Sequence, residues 1–415
     1  MFKNFTLFLV IFFLSSINIF SFDAGDGTIN NPYNISTCIQ LQNISLNLNA
    51  YFQLTQNIDC NVSSLNISPG FDPIGDSSTP FTGNFNGNSF EVSNLYINRG
   101  GTNYVGLFAS TDSGALITNF SVVDAQVIGN DRVGVLVGEN RASISYAQVS
   151  GTVNGRQRVG GLVGHNGDSI VYSSSSAEVT ASGAYSGGLI GYHSYASVSN
   201  SYATGDVIGR STTGGLIGDG DGGSATNVFA TGNVQGTSRT GGLFGWSDTT
   251  TTNGFASGNV SSNSNQVGGL IGFMQGRTHT NLFYVGGNVS GSSEVGFIVG
   301  RRSGGSFTNS YVNNISTNTL ALFGSGATGG VITIDENISH FLNSSNEPLR
   351  SWNTNIWNFT GDSLPYISYF NNPNPILISN DIDISSAAIT NSSTQFPYGS
   401  LYVIIAILLS FFFYL

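Results

Sequence analysis

Few residues in this chain could do chemistry, and their types and spacing limit what that chemistry could be. The densest acid cluster is Asp219-Gly220-Asp221-Gly222. Two carboxylates so close could act as an acid–base pair or hold a weak calcium ion. Their spacing fits neither the EF-hand nor the nonapeptide calcium repeat, so they read as solvated aspartates in a glycine-rich turn. The histidines are His165, His193, His279 and His340. His165 and His193 fall at related places in neighbouring sequence repeats and could approach one metal ion. With no third ligand in sight they read as turn histidines, and no metal or cofactor is expected. Arg132, Arg158 and Arg239 share one slot, with Arg156 and Arg210 in the same turn. An arginine stripe along one edge could recognise acidic glycans. The alternative is that these are solvated turn residues. The many G-x-G matches sit among strand-like runs with no helix to follow, so they do not read as phosphate loops.

Composition narrows the classes further. Charged residues make up 8% of the 415, against roughly 25% in ordinary globular proteins. The net charge of -11 argues against nucleic acid, which needs clustered cations. The sole lysine is Lys3, which excludes Schiff-base chemistry and Walker-type phosphate binding beyond the leader. Hydrophobic residues at 40% supply a core.

Both ends are apolar. Lys3 followed by the run Phe5 to Phe20 reads as a signal peptide over 1–21. Leu401 to Leu415 is short for a spanning helix, which needs ~20 residues. Small residues at Ser385-Ser386-Ala387-Ala388 and Asn391-Ser392-Ser393 precede it within a polar linker, 371–400. That pattern reads as a GPI-attachment signal, with a transmembrane tail as the alternative. The chain is expected outside the cell, anchored at the surface through its C-terminus. Glycosylation candidates are Asn34, Asn43, Asn61, Asn66, Asn119, Asn259, Asn288, Asn314, Asn337, Asn343 and Asn358, with a further sequon at Asn391. Cys38 and Cys60 are the only cysteines, and in an exported chain they read as one disulfide.

A repeat decides the fold. The pattern [VST]-G-G-L-[IVF]-G recurs with its leucines at Leu162, Leu189, Leu216, Leu243 and Leu270, spaced by 27 residues. Looser copies place Leu107, Leu136, Ile298 and Leu322 in the same register. A second column runs through Val127, Val153, Val179, Val207, Val234, Val260 and Val289. A third is aromatic: Tyr146, Tyr172, Tyr202, Phe229, Phe255, Phe283 and Tyr311. The β-favouring runs between turn residues are too short for helices. The expected fold is all-β: a single parallel β-helix of about nine coils over 81–335, with three short strands per coil. Residues 22–80 are expected to cap its N-terminal end and 336–370 its C-terminal end.

The G-G-L-x-G copies at this period resemble the GLUG repeat of bacterial surface adhesins, IgA-cleaving metallopeptidases and protist surface proteins. Gly25-Asp26-Gly27-Thr28, Pro73-Ile74-Gly75, Phe81 to Asn88 and the closing segment Trp352 to Tyr366 extend the likeness over about residues 24 to 370. The resemblance implies the architecture and leaves the function open, because the repeat serves proteins of different activity. The zinc motif H-E-x-x-H of such peptidases does not carry over, since no histidine is followed by Glu. The reading is a non-catalytic, adhesin-like or structural surface protein whose partners are the membrane and cell-surface or extracellular glycans. Alternatives are a polysaccharide-acting β-helix enzyme and a glycan-binding module.

Overall fold

The computed structural model describes residues 22–62, 64–285, 287–313, 321–326, 332–335 and 338–370. The leader, the linker and the apolar tail lie outside them, as do Asn314, Asn337 and Asn391. The described chain is a parallel β-solenoid, and one coil represents the rest. Ser197–Ala203 and Val207–Ile208 lie on a long sheet, Ser211–Gly214 on a second and Ile217–Asp221 on a third. Ser224–Ala230 then returns to the long sheet, pairing Tyr202 with Phe229. The coil therefore has three faces built from four strand segments, because the long face bends between Ala203 and Val207.

Stacking fixes the register. The Leu189 N–H donates to the Leu216 carbonyl at 2.9 Å, Leu216 to Leu243 at 3.0 Å and Leu243 to Leu270 at 2.8 Å. Leu162, Leu189, Leu216, Leu243 and Leu270 are all fully buried. The valines from Val127 to Val289 pair coil to coil in the same way. The glycines of the motif let the second and third sheets meet backbone to backbone. A Cβ on Gly214 would lie 2.0 Å from the Ile217 carbonyl oxygen, and one on Gly218 2.5 Å from that of Gly191. No side chain fits there, so the motif is a close-approach requirement.

The interior also holds polar columns. The Thr111 hydroxyl donates to Asn140 Oδ1, and Asn140 Nδ2 to Asn166 Oδ1. Asn166 Nδ2 meets His193 Nδ1 at 3.2 Å, and His193 Nε2 meets the Ala196 carbonyl at 3.1 Å. These contacts set the tautomer with the proton on Nε2. His279 is fully buried on Phe307, ring centroids 5.2 Å apart, and among the described residues neither of its nitrogens has a hydrogen-bond partner.

Three expectations need correction. First, the aromatic column is two columns. Tyr202, Phe229, Phe255, Phe283 and Tyr311 are in register, but Tyr202 continues into Ser174 and Gln148. Tyr146 and Tyr172 stand two residues earlier, in a left-handed slot that Asn200, Asn227, Asn253, Asn281 and Asn309 fill in later coils. Those asparagines form a side-chain ladder with Nδ2···Oδ1 distances of 2.8 to 3.0 Å. An amide both donates and accepts, so it repeats along a stack where a charge would repel its copy.

Second, residues 338–370 do not sit as a lid on the end of the stack. They run back along the outside of the aromatic column as a strap. Phe341 and Trp352 pack on Phe283, Trp357 on Phe229 and Phe255, and Phe370 on Tyr202. The Trp357 indole N–H donates to Asn227 Oδ1 at 3.2 Å. The aromatic ladder faces outward and needs a cover, which the strap supplies. Third, the parallel ladder starts before residue 81. Tyr33–Ile35 pairs with Tyr51–Leu54, which pairs with Asn84–Asn86. Residues 22–80 thus form the first coils as well as an end. In them Cys38 and Cys60 are disulfide-bonded, Cα atoms 5.3 Å apart, beside a one-turn helix at Cys38–Gln42.

Leu216→Ala should cost about 2–5 kcal/mol, since a mid-stack cavity cannot collapse when both neighbours are hydrogen-bonded in place. Trp357→Ala should cost about 3–5 kcal/mol and expose the aromatic ladder, read as a lower thermal midpoint with new binding of a hydrophobic dye. A midpoint unchanged by Trp357→Ala would mean that the strap is not packed as described.

Candidate functional site: a mixed ridge on the third sheet

Two outward columns lie side by side where the second sheet turns into the third. One runs along the third sheet in strict register: Glu139, His165, Tyr192, Asp219, Trp246, Phe273 and Arg301. The other enters the second sheet: Tyr104, Arg132, Arg158, Tyr185, Thr212, Arg239, Gln266 and Glu294. Every member of this second column has φ between 47° and 66°. Non-glycine residues rarely adopt that conformation, and a β-branched one such as Thr212 almost never does. The turn recurs in every coil, so ladder hydrogen bonds on both sides hold it.

The left-handed turn swings each side chain over the neighbouring column. The Arg132 guanidinium lies 4.7 Å from the Tyr104 ring centroid, Arg158 5.9 Å from Tyr192 and Arg239 5.5 Å from Phe273. The arginine slot seen in the sequence is therefore real, but it is not a row of free cations. Arg132 bonds Asp131 at 3.0 Å and approaches Glu139 at 3.6 Å. Arg158 bonds the same Asp131 at 2.7 Å, and Arg239 meets Gln266 Oε1 at 3.3 Å. Arg141, well exposed, reaches Glu139 at 3.2 Å. A cavity of about 350 Å³ opens here, lined by Glu139, Arg141, His165, Asp168 and Ser194 among others.

The two candidate metal histidines do not converge. His165 is on the ridge, its ring 5.1 Å from that of Tyr192. His193 pairs in register with Asn166 and lies fully buried inside. The sequence offset of one residue after the repeat's last glycine puts them on opposite sides of the strand. The expected solvated aspartates also differ. Asp219 is in a strand and only 8% exposed, between Tyr192 and Trp246 of the adjacent coils. Asp221 accepts the Tyr192 hydroxyl at 2.9 Å. Trp246 and Phe273 went unremarked in the sequence, although each lies three residues beyond a repeat leucine and is legible as a column.

Burial governs protonation here. It pushes the Asp219 carboxyl up to about 7, Asp221 pushes the same way and Arg239 opposes. His165 is lowered to about 4 by burial and then by Arg132, Arg158 and Arg141. His193 falls to about 4 and His279 to about 3, both chiefly by burial. Of the sequons in the described residues, Asn61, Asn66, Asn259, Asn288, Asn343 and Asn358 are exposed. Asn34, Asn43 and Asn119 are half-buried.

Stability should therefore depend on pH in two opposed ways. Between about 6.5 and 4 the unfolded chain binds protons on three histidines that the folded chain refuses, so stability falls as pH falls. Folded Asp219 keeps its proton up to about 7, whereas unfolded it releases it near 3.8, so its contribution falls as pH rises across that window. Asp219→Asn should raise the thermal midpoint at pH 7.5, and the gain should vanish by about pH 4. A gain that does not change with pH would contradict a buried carboxyl.

The comparisons with known proteins agree with this architecture. The GLUG motif matches residues 155–180 and 182–208. Over 133 residues, 31% of this chain, the sequence is 41% identical to halomucin of Haloquadratum walsbyi, covering 1% of that protein. Over 133 residues it is 35% identical to a protein of Evansella cellulosilytica described as a candidate glycine-rich membrane protein, covering 15% of it. The chain thus spans a small part of both relatives. Among solved structures, a candidate immunoglobulin A1 protease from Bacteroides ovatus superposes with a TM-score of 0.51 at 19% identity. That superposition covers 84% of this chain and 95% of the other, a likeness of fold. Residues 155–208 thus carry two GLUG motifs in tandem, each spanning about one coil of the solenoid.

Proposed function

We propose that the protein is a non-catalytic, surface-tethered solenoid that serves in adhesion or structural display outside the cell. The observation that supports this most is how the ridge spends its charges. Asp131 and Glu139 are engaged by Arg132, Arg158 and Arg141, so these carboxylates are neutralised by neighbours. A polysaccharide-cleaving site instead needs two free carboxyls flanking a sugar bond. The names of halomucin and of the glycine-rich membrane protein fit a place at a surface or membrane. The signal peptide and a lipid anchor replacing the residues after about Ser385–Ser393 complete the reading, with the exposed sequons carrying glycans.

One observation favours a second reading. Asp219 and Asp221 are carboxyls two residues apart, one of them with its protonation shifted toward neutrality, the kind of asymmetry an acid–base pair uses. Two experiments test the choice. Intact cells expressing the full chain should bind an antibody to it, and phosphatidylinositol-specific phospholipase C should release the protein. Retention, with the peptide ending at Leu415 still present, would establish a transmembrane tail. Incubation with plant, algal and bacterial polysaccharides should generate no new reducing ends or unsaturated products. Cleavage lost in Asp221→Ala would make the protein an enzyme.

A further inference from the structure

The strap covers only part of the surface it follows. The aromatic column beneath it ends at Tyr202, and in the same register the column continues as Ser174, Gln148, Ser121 and Glu91. The described strap ends at the same place, where Phe370 packs edge-on against Tyr202 with ring centroids 4.8 Å apart. Past that contact a cavity of about 360 Å³ opens along the column, lined by Glu91, Ser121, Gln148, Ser174, Tyr202 and Thr204 among others. The solenoid thus carries one trough at the bend of its long face, filled where the floor is aromatic and open where it is polar. The Glu91 backbone N–H donates to Asn57 Oδ1 at 3.1 Å. Its carboxylate, like the side chains of Ser121 and Gln148, has no partner among the described residues.

We propose that the open half of this trough binds an extended, polar polypeptide segment of a partner protein, with a lysine or arginine placed to meet Glu91. Continuity with the strap gives the class of partner, because the same trough already holds a polypeptide running along the solenoid axis. The strap matches its floor in kind, Phe341 on Phe283 and Trp357 on Phe229 and Phe255. Over Ser174, Gln148 and Ser121 the match is by hydrogen bonding, since a hydroxyl and a carboxamide both donate and accept. Charge gives the sign. Between Asn84 and Ile208 the strands of the long sheet carry Glu91, Asp124, Glu178 and Asp206 and no lysine, arginine or histidine. That face attracts a cationic segment and repels a second copy of this chain, whose net charge is -11. Glu91 and Tyr202 are joined by four successive coil-to-coil pairings, a floor ~19 Å long that an extended chain covers with about six residues. The proposal goes beyond tethering and display, and does not depend on how the chain is held at the surface.

The test is to probe the full chain against a synthetic array of random decapeptides and a glycan array, then to measure the best peptides by fluorescence anisotropy. Bound peptides should be enriched in Lys or Arg together with Ser, Thr, Asn or Gln, and depleted of Asp and Glu. Gln148→Arg, at an exposed position, should block the trough and weaken binding tenfold or more. Glu91→Gln should weaken it about fivefold, and Glu91→Lys should turn the preference toward acidic peptides. Arg141→Ala, on the other side of the coil, should leave binding unchanged, and equal thermal midpoints check that the variants are folded. No enrichment of basic peptides, or affinity unchanged in both Gln148→Arg and Glu91→Lys, would overturn the proposal. Aromatic-rich peptides that bind Gln148→Arg equally well would mean that ligands displace the strap instead. Glycans bound in place of peptides, and lost in Gln148→Arg, would assign the trough to a sugar chain and equally refute the proposal.

Discussion

Backbone hydrogen bonding between equivalent residues of successive coils is the constraint from which the rest follows. Because Leu216 bonds to Leu243 and Leu243 to Leu270, every side chain meets its own counterpart about one strand spacing away. A position must then be tolerable next to a copy of itself. Leucine, valine, aromatic rings and asparagine meet that condition, and ionised groups do not, since like charges ~5 Å apart repel. The low charge of the chain is a consequence of stacking. Where two arginines do follow each other, at Arg132 and Arg158, one Asp131 carboxylate contacts both. The same rule explains the first and last glycines of the motif, such as Gly214 and Gly218, where the backbone approaches too closely for a Cβ.

Much of this was legible in the sequence, because a translational repeat writes each structural column as a periodic residue. The leucine and valine columns, the solenoid and its parallel register could be counted directly. Columns that shift by two residues could not. Tyr172 to Tyr202 spans 30 residues where neighbouring aromatic spacings are 26 to 28, and the excess marks the change of slot. The strap was hidden for a different reason. Residues 338–370 do not repeat, and their contacts reach far back along the chain, from Trp357 to Asn227 and from Tyr369 to Tyr146. The ridge was half legible. Its arginines stood out as a shared slot, but their partners are cross-coil neighbours that only the register reveals. Asp219 looked exposed because it lies among glycines, and it is buried because Tyr192 and Trp246 flank it in space.

The ridge also shows how a uniform scaffold acquires one distinctive place. Leucine, valine and the close glycines allow little variation, so difference between coils collects in the outward columns. Eight coils there carry tyrosine, arginine, threonine, glutamine or glutamate in the same left-handed conformation. The turn tolerates this range because its geometry is imposed by the ladders on both sides and not by the residue.

The strap has a mechanical consequence. A solenoid pulled at its last coil peels one coil at a time, each rupture breaking a single rung. Here the described chain runs back over Tyr311, Phe283, Phe255 and Phe229 and ends at Phe370 beside Tyr202, near the middle of the stack. Tension applied at Phe370 enters at mid-length and loads the aromatic contacts in shear, several together. The coils from Tyr202 to Tyr311 would then yield as one block, and the protein would resist force as a clasp rather than as an unravelling spring.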